Sequence, residues 1–266
     1  MKLSLNGIEL NIQDRGNGMP AIIFLHYWGG SSRTWADVIT ALPAAYRTIA
    51  PDLRGWGDSS APVNNDYALI DFVRDILAMV EALSVRQYVL VGHSMGGKIA
   101  QLLASLHPRG LVGLVLIAPA PPMPLSLFPD ARQAMENAYS SPGAVDMAID
   151  HMLSAKPLSP KLRQQIAEDS LRGAAQAKIA WPKDTSQEDI CRDVAGITLP
   201  TVIIGGELDR VDNIAVLKSD LLPLIPQAIL HELPGTGHLS PLESPKEIAV
   251  IVGEFVEQLV ADKNHA

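Results

Sequence analysis

The chain has 266 residues, enough for one large domain with a substantial core or for a core carrying an insertion, and short for two independent domains. Hydrophobic residues make up 47% and charged residues 19%, an ordinary globular balance, and no window reaches the roughly 18 uninterrupted apolar residues of a membrane span. A formal net charge of -8 with scattered basic residues argues against nucleic acid as a partner. The opening stretch MKLSLNGIELNIQDRG lacks the apolar centre of a secretion signal, so a cytoplasmic protein is expected. The single cysteine, Cys191, cannot close an internal disulfide, and no Cys/His cluster has zinc spacing, so no metal site is expected.

Short β-rich apolar runs alternate with longer segments of helical period, which predicts a mostly parallel sheet covered by helices. IELNIQDRG (8 to 16) alternates like an early antiparallel strand, while AIIFLH (21 to 26) is continuously apolar, like a strand buried on both faces. YRTIAPD, QYVLVG, LVGLVLIAP, TVIIGG and AILHELP repeat that signal. Residues 66 to 83 place Ile70, Val73, Leu77 and Val80 on one helical stripe, and 94 to 106 and 244 to 260 also fit helices. Residues 119 to 195 break the alternation: PAPPMPLSLFP forbids a regular element, and short helices are expected around 130 to 139, 143 to 153, 159 to 173 and 186 to 193. The chain therefore divides into a core, 1-118 and 196-266, and a helical cap, 119-195, set over the carboxyl ends of the strands where open parallel sheets bind ligands.

The strongest chemical signal is VLVGHSMGGKIAQLLA (89 to 104), a strand running through Gly92-His93-Ser94-Met95-Gly96 into a helix. The glycines let Ser94 occupy a sharp, strained turn with its hydroxyl at a helix amino terminus, where amides and the helix dipole favour negative charge.

In this context the sequence resembles the α/β-hydrolase superfamily, specifically its cap-bearing, esterase-like members with a serine nucleophile. The resemblance covers nearly the whole chain and rests on four motifs in order: the His26 turn, DLRGWGDS (52 to 59), GHSMGG, and the pair GGELDR and GTGHLSPLE. It implies a mostly parallel sheet of about eight strands flanked by helices, with the cap inserted after strand six. It also implies acyl transfer: Ser94 attacks a carbonyl, a histidine moves the proton, and water hydrolyses the acyl-enzyme without cofactor or metal. Haloalkane dehalogenases and epoxide hydrolases of this scaffold carry aspartate at the elbow and are set aside by Ser94.

Of seven histidines, His238 in GTGHLSPLE lies on a glycine-flanked loop between the last strand and last helix, where the family's base resides. His107 reads as a helix carboxyl-end residue, His231 as part of a strand, His151 as a cap residue and His265 as tail; His26 reads as structural in the oxyanion turn. Asp209 matches the family's acid and gives the chain order Ser, Asp, His; Glu207 and Asp212 are its rivals, with Asp212 better suited to N-cap a helix starting near Asn213. Asp52 and Arg54 of DLRGWGDSS are expected to fix neighbouring turns, with Trp56 packing or on the rim.

In LHYWGG, Tyr27 stands where the family's oxyanion loop has glycine. The amides of Trp28 and Met95 are the candidate oxyanion donors, with the Tyr27 amide as the alternative. Tyr27, Trp28, His93 and Trp181 are the candidate substrate contacts, and the cap adds Met123, Leu125, Leu127, Phe128, Met135, Met147 and Met152 as soft apolar groups. The expected substrate is a small to medium, largely apolar ester; a homo-oligomer is left open. The alternatives are a carbon-carbon hydrolase, for which Arg132, Arg163 or Arg172 would have to hold a carboxylate, an enol-lactonase, a cofactor-free haloperoxidase or perhydrolase, and a non-catalytic ligand receptor.

Overall fold

In a computed structural model, which describes residues 1–264, the apolar runs become the middle of one eight-stranded sheet. The strands are β1 (Lys2–Leu5), β2 (Ile8–Arg15), β3 (Ala21–Leu25), β4 (Thr48–Pro51), β5 (Tyr88–His93), β6 (Leu111–Ile117), β7 (Thr201–Gly206) and β8 (Ile229–Leu233). Their order is β1-β2-β4-β3-β5-β6-β7-β8; β2 runs antiparallel to both β1 and β4, and every pairing from β4 to β8 is parallel. β1 has no counterpart among the expected strands, because its side chains alternate between exposed and half-buried and give no continuous apolar signal. β8 is an edge strand, and Ile229 is exposed although its run reads like the buried ones.

The period of two in β3 divides the core. Ile22 and Phe24 join Trp35, Val89, Val91, Val115 and Ile117 on one face, while Ile23 and Leu25 join Leu90, Leu114 and Leu116 on the other. Helices α1 (Ala36–Ala41), α2 (Leu69–Ala82) and α3 (Met95–Ser105) follow β3, β4 and β5. In α2 the buried stripe runs through Leu69, Phe72, Val73, Ile76, Met79 and Val80, rotated from the expected one, so that Ile70 and Leu77 are only half-buried.

Between β6 and β7 the chain is entirely helical or irregular: α4 (Pro129–Asn137), α5 (Pro142–Ala148) with a wider turn continuing to Leu153, α6 (Pro160–Arg172), α7 (Ala175–Lys183) and α8 (Cys191–Val194). Ser141 and Ser159 start α5 and α6 by accepting the amides of Ala144 and Leu162, each with proline at the first helical position, where its missing N–H costs nothing. α7 was not anticipated: AQAKIAWPK has almost no amphipathic contrast and contains Pro182. The single helix expected at 186 to 193 is instead a short 3-10 turn, Thr185–Gln187, and the four residues of α8. The chain ends with α9 (Ile214–Val216), α10 (Ser240–Glu243) and α11 (Pro245–Asn264), whose Ile248, Val252 and Val256 complete the Trp35 face of the core. No helix among the described residues is long and apolar enough to cross a membrane.

Candidate active site

β5 delivers its last residue directly to an elbow. Ser94 has φ 53° and ψ -114°, a strained conformation for a residue with a side chain, and it stands at the amino terminus of α3. A Cβ at Gly92 would lie 2.3 Å from the Gly96 carbonyl oxygen, and one at Gly96 would lie 2.4 Å from the Leu25 carbonyl oxygen, so only glycine allows this turn to close.

His238 arrives on the loop after β8 with Nε2 2.9 Å from Ser94 Oγ and Nδ1 2.9 Å from Asp209 Oδ2. Asp209 Oδ1 accepts the amides of Val211 and Asp212, which leaves Oδ2 for the imidazole. All three side chains are buried. Burial alone raises a carboxyl pKa, but the His238 charge, its hydrogen bond and the two amides together hold Asp209 below its ordinary value. For His238, burial favours the neutral ring, and the charge and hydrogen bond of Asp209, aided by Asp212 and Glu243, outweigh it and lift the pKa to about 8.

The His238 loop is tied to the helical insertion. Glu243 Oε2 accepts the amides of Gly237, Ala155 and Lys156, and the Leu239 amide donates to the Leu153 carbonyl. Nothing in GTGHLSPLE marks Glu243 for this task except its spacing from the histidine.

Asp212 is not the helix cap expected of it. Asn213 caps α9 by accepting the Val216 amide, and the buried Asp212 carboxyl turns inward, with Oδ2 4.0 Å from His238 Nδ1. Burial, with Asp209 beside it, pushes its pKa up to about 8.

His93 is not placed as a substrate contact. It has no exposed surface, packs between the rings of Tyr27, Trp35 and His238, and shares a 2.8 Å hydrogen bond from Nε2 with the His238 carbonyl. Its side chain thus supports the His238 loop from behind, and burial lowers its pKa to about 3. His26 is equally occupied: Nε2 accepts the Leu53 amide at 2.9 Å, so Nδ1 carries the proton and donates to the Tyr27 carbonyl at 2.7 Å. Burial lowers its pKa to about 4. Of the remaining histidines, His107 follows α3 with φ 48°, His231 sits in β8 and His151 in the turn after α5, while His265 lies outside the described residues.

The loop after β4 ties these turns together. Asp52 accepts the amides of Ser32 and Asp58 and the Asn11 side chain, while Arg54 pairs with buried Asp75 and donates to the carbonyls of Asp66 and Asp71. Trp56 is buried, edge-on to both Trp28 and Tyr139.

Trp28 is 6% exposed and its ring lies 4.1 Å from that of Tyr139, contributed by the insertion. Among the described residues, neither the Trp28 nor the Met95 amide donates to a protein acceptor. Trp181, on α7, is buried in the same apolar cluster as Tyr27 and Trp28 but makes no ring contact with them among the described residues. Phe128, Met147 and Met152 are exposed on the outside of the insertion, so they do not line an inner pocket as expected. α4 buries none of its residues, and α5 and the turn after it bury only Val145 and Ile149, so Met147 and Met152 are left on the outside.

Lys98, one turn after Ser94, is also buried and was not anticipated as a structural group. Its Nζ donates to the carbonyls of Met123 and Ser186 at 3.0 and 3.1 Å, joining the two ends of the insertion to α3. Burial lowers its pKa to about 8 against the opposing pull of Glu188 and other nearby acids. Among the described residues no group of three or more His, Cys, Asp or Glu is placed to hold a metal ion.

Comparison with known proteins agrees with this architecture. The family model described as alpha/beta hydrolase fold matches residues 20–141. A non-heme haloperoxidase from Rhodococcus erythropolis is 30% identical over 250 residues, covering 88% of this chain and 90% of its own. A 2-hydroxymuconate semialdehyde hydrolase from Pseudomonas sp. (strain CF600) is 29% identical over 263 residues, covering 95% and 92%. Among solved structures, an esterase from Exiguobacterium antarcticum superposes with a TM-score of 0.88 at 22% identity, covering 97% of this chain and 99% of that one. With its parallel sheet, strand-to-helix elbow and near full-length relatives, this chain belongs to the alpha/beta hydrolase family.

Proposed function

We propose that this protein is a serine hydrolase that cleaves carboxylic esters with small, largely apolar acyl groups. The observation that carries the proposal is the continuous hydrogen-bonded line from Ser94 through His238 to Asp209, 2.9 Å at each step, at a strained elbow. Serine is a weak nucleophile at neutral pH, and this line supplies the base and the carboxylate that fixes the base's tautomer. Asp209 accepts a hydrogen bond from Nδ1–H, which keeps its proton there, so Nε2 is free to take the Ser94 proton as Oγ attacks the carbonyl carbon. The same proton then passes to the leaving alkoxide, and His238 next activates a water that releases the acid and restores Ser94.

The free amides of Trp28 and Met95 are the donors for the tetrahedral oxyanion, Met95 aided by the amino terminus of α3. Residues 119 to 195 act as a cap, and Tyr27, Trp28 and Trp181 provide apolar walls on the core and cap sides. The burial of Ser94 and the aromatic packing beside it favour acetyl and butyryl esters over long chains.

A carbon-carbon hydrolase would need a cation for the substrate carboxylate, and the three cap arginines are engaged elsewhere. Arg132 donates to the Pro182 carbonyl, Arg163 pairs with Asp146 and Asp150, and Arg172 pairs with Asp58. A second reading, favoured by the 30% identity to the Rhodococcus erythropolis haloperoxidase, is perhydrolysis. Hydrogen peroxide would replace water on the acyl-enzyme and release a peracid, which would oxidise a halide in solution.

Turnover of p-nitrophenyl acetate and butyrate by the wild type and Ser94→Ala tests the first reading; repeated turnover that disappears in the variant is expected. Bromination that needs both acetate and hydrogen peroxide, at a rate exceeding ester cleavage, would favour the second. Folded wild-type protein with neither activity would contradict both.

A further inference from the structure

Two successive carbonyls of the turn that follows β3, those of Trp28 and Gly29, take their donors from the insertion, while the Tyr27 carbonyl before them is held within the core by His26 Nδ1 and the Gly30 amide. The Tyr139 hydroxyl, just beyond α4, donates to the Trp28 carbonyl at 2.8 Å, and Ser170 on α6 donates to the Gly29 carbonyl at 3.0 Å. Beside Ser170, Asp169 accepts Ser31 Oγ at 2.9 Å and Arg33 Nη1 at 3.2 Å. Tyr139, Asp169 and Ser170 are all buried, at 3%, 2% and 0% exposure. Within the described residues the Trp28 and Gly29 carbonyls accept from no other donor, so the core offers nothing to replace these bonds.

The fit is shaped to the ring as well as to the hydroxyl. Gly29 has φ +94°, and a Cβ there would lie 2.4 Å from the Tyr139 ring, so the glycine both permits the turn and leaves room for the tyrosine. The Trp28 indole lies against the same ring at 4.1 Å. The insertion thus fixes the carbonyl side of residue 28 and one face of its ring, while core groups hold the Tyr27 carbonyl that shares a peptide plane with the Trp28 amide and Trp56 meets the ring edge-on.

We propose that Tyr139 and Ser170 are positioning residues that aim the Trp28 amide at the oxyanion, making the cap part of the oxyanion site. This rests on the ester-hydrolase function and on Trp28 as a donor. An oxyanion donor works through its direction, because it must meet charge where it develops and not where the ground-state carbonyl lies. Loosening the turn therefore weakens the transition state while leaving substrate binding nearly as it was.

The test uses Tyr139→Phe, which keeps the ring and its packing, Ser170→Ala, and the double variant. Arg163→Ala, which removes only the two ion pairs to Asp146 and Asp150 at the surface of the same insertion, is the control. For p-nitrophenyl acetate, kcat should fall about tenfold in each single variant and about 100-fold in the double, with KM within about twofold. Affinity for a trifluoromethyl ketone, which adds to the serine and develops the oxyanion, should fall by the same factor as kcat/KM. Arg163→Ala should match the wild type. Ser94-dependent turnover that is indifferent to Tyr139→Phe and Ser170→Ala, or that changes only in KM, would overturn the inference alone. Wild-type turnover that survives in Ser94→Ala would overturn the hydrolase function and the inference together.

Discussion

His238 sits between two carboxyl groups of unequal duty. Asp209 holds it by a direct hydrogen bond, and Asp212 approaches the same nitrogen to 4.0 Å without bonding. In the proposed cycle His238 acts as base only when its imidazole is neutral, and its pKa is lifted to about 8, so kcat/KM should rise with pH and reach half its plateau near pH 8. Asp212 is itself held up to about 8 and carries charge only over the upper part of that limb, so Asp212→Asn should move the acid limb of the pH profile only slightly to lower pH, with activity retained on the plateau. A limb that stays in place would assign Asp212 no electrostatic hold on the base. Trp56 belongs to a different category of residue. It is fully enclosed and edge-on to both Trp28 and Tyr139, so Trp56→Ala should cost about 4 kcal/mol in denaturant unfolding. Trp28→Ala should alter acyl-chain preference more, as measured by kcat/KM across a series of p-nitrophenyl esters.

At the scale of elements, the parts legible in the sequence are those whose cause is local. Ser94, Asp209 and His238 each follow a strand on a turn, and two of those turns announce themselves by glycine, so their positions could be read from short stretches. Tyr139 meets Trp28 across 111 residues, and Glu243 meets Ala155 across 88, and no stretch of sequence carries either pairing. His93 shows the opposite failure: its neighbour in sequence is Ser94, but its buried ring is packed between Tyr27, Trp35 and His238 and presents nothing to a substrate. The prolines mark where the insertion begins, whereas α7 is not legible because it has almost no amphipathic contrast and contains a proline. Lys98 binds the two ends of that insertion to α3. Lys98→Met leaves the Met123 carbonyl without a donor, while the Ser186 carbonyl keeps the Leu125 amide, and should lower stability by about 1–2 kcal/mol. Limited proteolysis should then cut between residues 119 and 195 faster than in the wild type, and an unchanged cutting rate would leave Lys98 with no clamping role.

Across the whole molecule, the sheet supplies position and the insertion supplies enclosure. β5 and β7 present Ser94 and Asp209 beyond their carboxyl ends, and the loop after β8 brings His238 across to them. The insertion touches both the His238 loop, through Glu243, and the turn after β3, through Tyr139 and Ser170. The central claim is that this assembly runs an acyl-enzyme cycle on Ser94. Rapid mixing with p-nitrophenyl acetate, followed by acid quench and mass measurement of the protein and its peptides, tests it directly. The account predicts a burst of nitrophenol with an acetyl group on the peptide containing Ser94, and steady-state rates lowered by several orders of magnitude in Ser94→Ala and His238→Ala. Turnover without acetylation at Ser94, or losses smaller than about tenfold in both variants, would contradict it.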